Sequence, residues 1–253
     1  MKNAENKIPA SKRILFITEG LVIKSYNFLP TSNLYHLCLI IIMEPFVKED
    51  SIVRKIWGKS DTVLFIFAGS AAEFALNKAV DWLYFTGKLP ADPIGRLFST
   101  VNYAKGIIFA KEEEALQTID KINFIHQAIE KERGYTIPGW SYRDVLFMLI
   151  HYSIASFELL ERKLSDEEKQ EVYDVFYRTG SCMQLKDLPH NYKSWLVSRE
   201  EHLNNDLQCG KYTIDLFRQY KKHLGAVRYK ILLEAQMLVV PRKVKELLGF
   251  RKF

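Results

Sequence analysis

Two of the six histidines fall on apolar helical faces, where an ionisable ring is unusual. His126 continues a seam, spaced by alternating steps of four and three residues, that consists of Ala115, Ile119, Ile122 and Ile129. His151 lies between the largely apolar stretches 145–150 and 154–157. A histidine in such a place is either a core residue satisfied by a hydrogen bond or a neutral imidazole suited to bind haem iron. The residues leave both interpretations open.

An arginine and a threonine share the face of another predicted helix. Arg96 and Thr100 are four residues apart, so their side chains lie on the same side of that helix. An arginine on an otherwise apolar face is costly to bury unless it meets a carboxylate, a propionate or a developing anion. The other interpretation is a structural ion pair with Glu73 or Asp81 from the preceding helix. The sequence favours neither.

Several common catalytic and metal-binding motifs are missing from the sequence. It contains no phosphate-binding or dinucleotide-binding glycine loop, no GxSxG elbow and no HExxH pair. The three cysteines are too few and too scattered for a disulfide framework or a four-cysteine zinc site. Because CxxCH is also missing, any haem would be the non-covalent b type.

The helices that carry these residues have clear start and stop signals. Asp92 before Pro93 is a strong N-terminal pair, and Ser165 with Glu168 has the spacing of a capping box, as does Ser141 with Asp144. We therefore predict an all-α protein with a single multi-helix domain, and we assign no structure before about residue 46. The predicted helices cover about 52–57, 63–85, 93–110, 112–131, 141–160, 165–178, 191–203, 214–238 and 241–248.

The positive charge belongs to the C-terminal segment. The 253 residues carry a net charge of +6, yet residues 211–253 alone sum to +8. Their basic side chains are interleaved with Leu, Ile and Val, which argues against a nucleic-acid site. The segment 228–248 has the composition of helices that rest on an anionic bilayer, and the plain alternative is a solvated face. No apolar run reaches the length of a membrane span, so we expect a cytoplasmic protein. Peripheral membrane contact through this segment stays open beside the solvated face, which is the favoured interpretation.

A set of short blocks recurs in the order and spacing of a known family. The first block reads Asp92-Pro93-Ile94-Gly95-Arg96-Leu97-Phe98-Ser99-Thr100. Glutamates at 112–114, then Ile125-His126, a helix centred on His151, and Leu164-Ser165 follow it. The blocks cover roughly residues 50–205, and the ending Val240-Pro241 with Leu247-Leu248-Gly249 adds to them. The sequence resembles the rubber oxygenase (latex-clearing protein) and MpaB oxygenase family.

The resemblance implies a globin-related helical core that holds haem b. The family uses dioxygen to cleave carbon–carbon double bonds in apolar, isoprenoid-like substrates. His126 matches the proximal iron ligand, and Arg96 and Thr100 match the pair near the oxygen site. His151 is a further candidate for contact with the cofactor.

Two positions depart from the family pattern. Ser99 stands where rubber-cleaving members carry a lysine that can bind the iron, and Ala72-Glu73 stands where many members have His-Pro. The catalytic acid or base therefore stays open, with Glu73 and Asp81 as candidates on position.

We accordingly expect a haem-dependent oxygenase with an apolar small-molecule substrate, dioxygen as co-substrate and no nucleic-acid partner. The alternative is a haem-binding or gas-binding module without catalysis, or a helical binding protein without the cofactor. We predict an N-terminal extension at 1–49, a haem-oxygenase-like domain at 50–205, and basic helices that pack on it at 206–253.

Overall fold

The computed structural model describes residues 44–87 and 91–250. Within these ranges the chain forms ten α-helices and no β-strand, which confirms the all-α prediction. All the described residues belong to one compact unit. The helices are α1 Ile52–Trp57, α2 Ser60–Leu76, α3 Val80–Phe85, α4 Pro93–Ile108, α5 Glu112–Arg133, α6 Gly139–Leu160, α7 Asp166–Cys182, α8 Tyr192–Asn205, α9 Lys211–Val239 and α10 Arg242–Leu248.

Local capping interactions start two helices where the sequence predicts them. The Asp92 side chain accepts a hydrogen bond of 2.8 Å from the backbone N–H of Gly95, and Pro93 takes the first position of α4. At the start of α7, Ser165 and Glu168 bond reciprocally to each other's backbone N–H groups.

Two predicted helix boundaries are wrong. The stretch 63–85 breaks into α2 and α3, because the Asn77 side chain accepts a hydrogen bond of 2.8 Å from the N–H of Ala79 while its backbone is extended. Helix α6 begins at Gly139 after Pro138 rather than at Ser141. Asp144 therefore does not cap α6; its buried carboxylate instead accepts a hydrogen bond from Asn77.

Helix α2 is central to the fold and packs mainly against α6 and α9. Its apolar residues occur on every side, as expected of a buried helix. Gly69 permits the closest contact, since a Cβ there would lie 2.3 Å from the ring of Tyr152 on α6. This contact brings the Tyr152 hydroxyl to Glu73, one turn further along α2.

Helices α4 and α5 pack against each other beside this centre. They carry three of the residues that the sequence selects for chemistry, Arg96, Thr100 and His126, whereas Glu73, Asp81 and His151 lie on α2, α3 and α6. Among the described helices, none combines the length and apolar character that crossing a bilayer requires.

Candidate functional site

A cavity of about 300 Å³ lies between α2, α4, α5 and α6. Its walls are mainly aliphatic and aromatic, and Arg96, Thr100 and His126 all line it. The described lining contains no carboxylate and no cationic side chain besides Arg96. The structure thus brings three residues from two helices to one apolar space.

The imidazole of His126 is neutral at physiological pH. Burial lowers its pKa to about 4, the positive charge of Arg96 acts in the same direction, and Glu130 opposes them. The ring centroid lies 4.8 Å from that of Tyr142, at an interplanar angle of 42°. A neutral imidazole at an apolar wall is the form of histidine that binds a metal.

Tyr142 and Glu130 fix the wall next to His126. The Tyr142 hydroxyl donates to Glu130 Oε1 at 3.2 Å, and the backbone N–H of Ile137 donates to the same oxygen at 2.8 Å. The carboxylate therefore ties the end of α5 to the start of α6. This bond holds the Tyr142 ring in its tilted contact with His126.

Arg96 is partly buried and has no carboxylate partner among the described residues. Burial lowers its pKa, against the opposing influence of Tyr103. The predicted alternative, an ion pair with Glu73 or Asp81, is therefore wrong, since both acids pair with other arginines. The guanidinium stays available to an anion in the cavity.

The hydroxyls beside Arg96 are held by the backbone of their own helix. Thr100 Oγ1 donates to the Arg96 carbonyl at 3.2 Å, and Ser99 Oγ donates to the same carbonyl at 2.8 Å. Thr100 lines the cavity, whereas Ser99 does not. Position 99 therefore offers the cavity no amine of the kind that rubber-cleaving members carry.

Asp81 lies outside the cavity lining. Its carboxylate accepts a hydrogen bond of 2.8 Å from Arg133, whose guanidinium lies 4.0 Å from the centroid of the Trp82 ring. Trp82 itself lines the cavity. Asp81 is thus one step removed from the wall, behind Arg133 and Trp82.

Glu73 is fully buried in a polar network and does not line the cavity. Both its oxygens bind Arg199, with a distance of 2.6 Å between Oε2 and Nη2. Tyr152 donates to Oε2 at 2.7 Å, and His202 Nε2 lies 3.0 Å from Oε1. Burial raises the pKa of Glu73, but Arg199 and His202 outweigh it and hold the pKa well below its ordinary value. The carboxylate stays ionised and fully engaged.

The same network continues from His202 to a second carboxylate. His202 Nδ1 lies 2.9 Å from Asp144 Oδ2 and 3.5 Å from Asp206 Oδ2. Burial lowers the pKa of His202, but Asp144 and Glu73 outweigh it, so the pKa is raised. Asp144, His202 and Asp206 offer ligand atoms within 4.8 Å of one another, as a bound cation would need. Because both imidazole nitrogens face carboxylates, the geometry favours a protonated ring over a metal ligand.

His151 is adjacent to this network and lies outside the cavity lining. Its ring meets that of Tyr152 edge to face, with 4.9 Å between the centroids. Burial lowers its pKa to about 3; Arg199 acts in the same direction, and Glu73 opposes them. The structure does not bring His151 to the side of the cavity where His126 lies.

Sequence reasoning missed Arg199 and His202. A signal was present, because Trp195, Arg199, His202 and Asp206 recur at steps of four, three and four residues along α8 and its C-terminal cap. Charged residues in register with a buried tryptophan indicate a paired polar stripe.

The family resemblance is supported by a match over most of the chain. Residues 56–252 match the model of the catalytic domain of the ER-bound oxygenase mpaB/B' and rubber oxygenase. No curated protein and no solved structure gives a match. The matched range includes the basic helices after residue 205, while the predicted boundaries at 49/50 and 205/206 stay predictions. The chain belongs to the mpaB and rubber oxygenase family, and the matched region is an oxygenase catalytic domain.

Proposed function

We propose that the protein is a haem b-dependent oxygenase that oxidises or cleaves a carbon–carbon double bond in an apolar, isoprenoid-like substrate. The observation that carries the proposal is the meeting of His126, Arg96 and Thr100 at one apolar cavity. The family supplies the reaction class, and this cavity supplies the site.

The residues at the cavity fit haem b. The macrocycle is apolar and carries two carboxylates, so it needs an apolar slot, a neutral ligand and a cation. The cavity has mainly apolar walls, His126 with its pKa lowered to about 4, and Arg96 without a carboxylate partner among the described residues. Arg133 adds a second cation beside Trp82, since its Nη1 has no hydrogen-bond partner among the described residues.

The chain's own residues have separable roles. His126 would hold the iron, and Tyr142, bound to Glu130, orients the imidazole. When bound, haem supplies the activation of dioxygen. Arg96 would offer its guanidinium to a propionate or to developing negative charge, and the Thr100 hydroxyl is held in place by the Arg96 carbonyl.

The lining also limits the substrate and the proton chemistry. Aliphatic and aromatic walls favour an uncharged hydrocarbon chain. Because neither Glu73 nor Asp81 lines the cavity, a carboxylate from either is not in place as general acid or base. Among the described lining residues, proton transfer is left to hydroxyl groups and to water.

An absorption spectrum of the full chain, produced with added haem, tests the proposal. We expect a Soret band that is lost in His126→Ala and kept in His151→Gln, the control histidine outside the cavity. A wild-type protein without a Soret band, or an unchanged band in His126→Ala, would refute the haem site.

Product analysis separates the enzyme from the alternative of a haem or gas carrier, which Ser99 and the lack of a lining carboxylate favour. We expect oxygen-dependent carbonyl products from an unsaturated isoprenoid, and their loss in Arg96→Met with the Soret band kept. A normal Soret band without products would assign the protein to the carrier class.

A further inference from the structure

The middle of α9 is solvent-exposed on nearly every side. From Lys221 to Ile231, nine of eleven residues are exposed, and Leu224 and Tyr229 are the two that are only partly exposed. A helix that packs on a core normally hides about half of its surface. This segment, residues 221–231, therefore projects from the packed helices, and we call it the α9 bend.

Gly225 produces the bend. Its backbone has φ 72° and ψ 173°, a conformation outside the helical region that glycine alone adopts readily. No atom lies within 4 Å of the position that a Cβ would take there, so crowding does not require the glycine. The backbone conformation does, and it turns the second half of α9 relative to the first.

The bend carries a cluster of cations without ion-pair partners among the described residues. Four exposed basic side chains, Lys221, Lys222, Arg228 and Lys230, lie within ten residues, and the stretch has no acidic residue before Glu234. No salt bridge or hydrogen bond of a described residue involves any of the four. Four unpaired charges on one projection create a local positive field.

Large apolar side chains project from the same bend. Val227 is 75% exposed and Ile231 63% exposed, one helical turn apart. Transferring such side chains from water to an apolar phase is favourable. Exposed apolar side chains interleaved along the chain with lysine and arginine are the composition of interfacial membrane segments.

A second exposed apolar pair has the opposite surroundings and serves as a comparison. On α8, Leu196 and Val197 are 47% and 63% exposed, and Glu200 and Glu201 flank them. This patch offers similar apolar area with acidic neighbours. Charge therefore distinguishes the two patches.

The α9 bend also adjoins the cavity. Tyr220, the residue before Lys221, lines the cavity, and Leu224 and Tyr229 pack against the same small cluster of apolar residues as Tyr220. We propose that the α9 bend is a docking surface for an anionic lipid bilayer, with Val227 and Ile231 inserted among the acyl chains and the four cations at the headgroups. A bilayer contact there brings the cavity wall next to the phase in which apolar substrates dissolve. The contact needs no cofactor, so its test is independent of the proposed haem chemistry.

Vesicle flotation with the full chain tests the proposal. We expect the protein to float with phosphatidylcholine vesicles that contain phosphatidylserine and to stay at the bottom with phosphatidylcholine alone. Val227→Ser/Ile231→Ser should bind at least about tenfold more weakly, and Lys221→Gln/Lys222→Gln about 30-fold more weakly, since each surface cation contributes about fivefold. Leu196→Ser/Val197→Ser is the matched control and should float like the wild type.

The outcomes are decisive because every substituted side chain is exposed, so equal thermal midpoints will show that the variants fold. Failure to float with anionic vesicles overturns the proposal. Equal loss in the α8 control variant also overturns it, because binding would then not depend on the α9 bend. Salt-sensitive binding to duplex DNA without flotation would instead assign the basic surface to nucleic acid. Flotation by a protein that lacks a Soret band supports the surface while refuting the haem site.

Discussion

The cavity around His126 and the network around Glu73 differ in how their buried charges are paired, although both lie within one helical core. In the network, an arginine, a histidine and a tyrosine surround one carboxylate, and the pKa of His202 is raised. In the cavity, Arg96 has no carboxylate partner among the described residues, and burial together with Arg96 lowers the pKa of His126 to about 4. The first arrangement satisfies its buried charges within the chain, and the second leaves the Arg96 guanidinium available to a ligand.

The difference shows which polar groups hold the helices together. The Glu73 network joins α2, α6 and α8 through buried, hydrogen-bonded charges. Removing one partner from such a set leaves an uncompensated buried charge. The charged and titratable residues of the cavity are not paired with one another in this way, which is typical of a site that gives up some stability for function.

Removal of Arg199 should have the largest effect. Arg199→Met leaves the ionised Glu73 buried without its main partner, so we expect the free energy of unfolding to fall by about 3–5 kcal/mol. Urea denaturation measures it. Glu73→Gln combined with Arg199→Met should lose less than the two single losses added, because the double variant has no unpaired charge. A loss below about 1 kcal/mol in Arg199→Met would mean that the network does not stabilise the fold.

The two histidines should give opposite pH dependences of stability. The folded pKa of His126 lies below its ordinary value of 6.5, so the unfolded chain binds a proton at this residue before the folded chain does. The free energy of unfolding therefore falls by up to roughly 3 kcal/mol as the pH falls from 6.5 to about 4. The folded pKa of His202 is raised, so its contribution is complete below pH 6.5 and is lost as the pH rises through that pKa. Denaturation of wild type, His126→Gln and His202→Gln across pH 4–9 measures both. Two variants with the same pH slope would contradict the comparison.

Arg96→Met should stabilise the cofactor-free protein while abolishing oxidation. It removes a partly buried charge without a carboxylate partner from an apolar wall, for which we expect a gain of about 1 kcal/mol. Thermal unfolding of cofactor-free protein measures it. Arg218→Met, at an exposed surface pair with Asp215, is the control and should change stability by less than about 0.5 kcal/mol. Destabilisation by Arg96→Met would show that the guanidinium has a structural partner.

Tyr142→Phe should have the smallest effect on stability and a clearer effect on cofactor binding. It removes the hydrogen bond to Glu130 but keeps the ring against His126, so we expect about 0.5–1 kcal/mol of lost stability. Haem titration should show roughly tenfold weaker binding, which is the lower end of the range for residues that orient a metal ligand. Tyr177→Phe, on an exposed residue of α7, is the control. Unchanged haem affinity in Tyr142→Phe would mean that the bond does not orient the imidazole.

Much of the helical framework was predictable because its signals are local. Asp92 and Ser165 start α4 and α7 through hydrogen bonds to residues three positions further along the chain, so the partners can be read from the local sequence. The seam of His126 follows from its own helix, and the shared face of Arg96 and Thr100 follows from a four-residue spacing. These residues were identified without knowledge of their neighbours, and the order of their blocks was enough to predict the family that the match confirms.

The partners of charged side chains were not predictable, because they come from distant parts of the chain. Glu73 meets Arg199 across 126 residues, and Arg133 reaches Asp81 across 52. No periodicity relates such positions, and the sequence offered two acids, Glu73 and Asp81, as partners for Arg96 without a means of choosing between them. The break at Asn77 depends on a side-chain bond that competes with helical hydrogen bonds, which helix propensity alone does not reveal.

The sequence by itself determined the all-α class, the helix starts, the imidazole of His126 on an apolar seam and the kinship with an oxygenase family. Only the tertiary structure decided that Arg96 faces a cavity while Glu73 is bound inside a polar network. The physical reason is that backbone capping and helical periodicity act within a few residues, whereas the energy of a buried charge depends on which charge from another helix comes within about 3 Å of it.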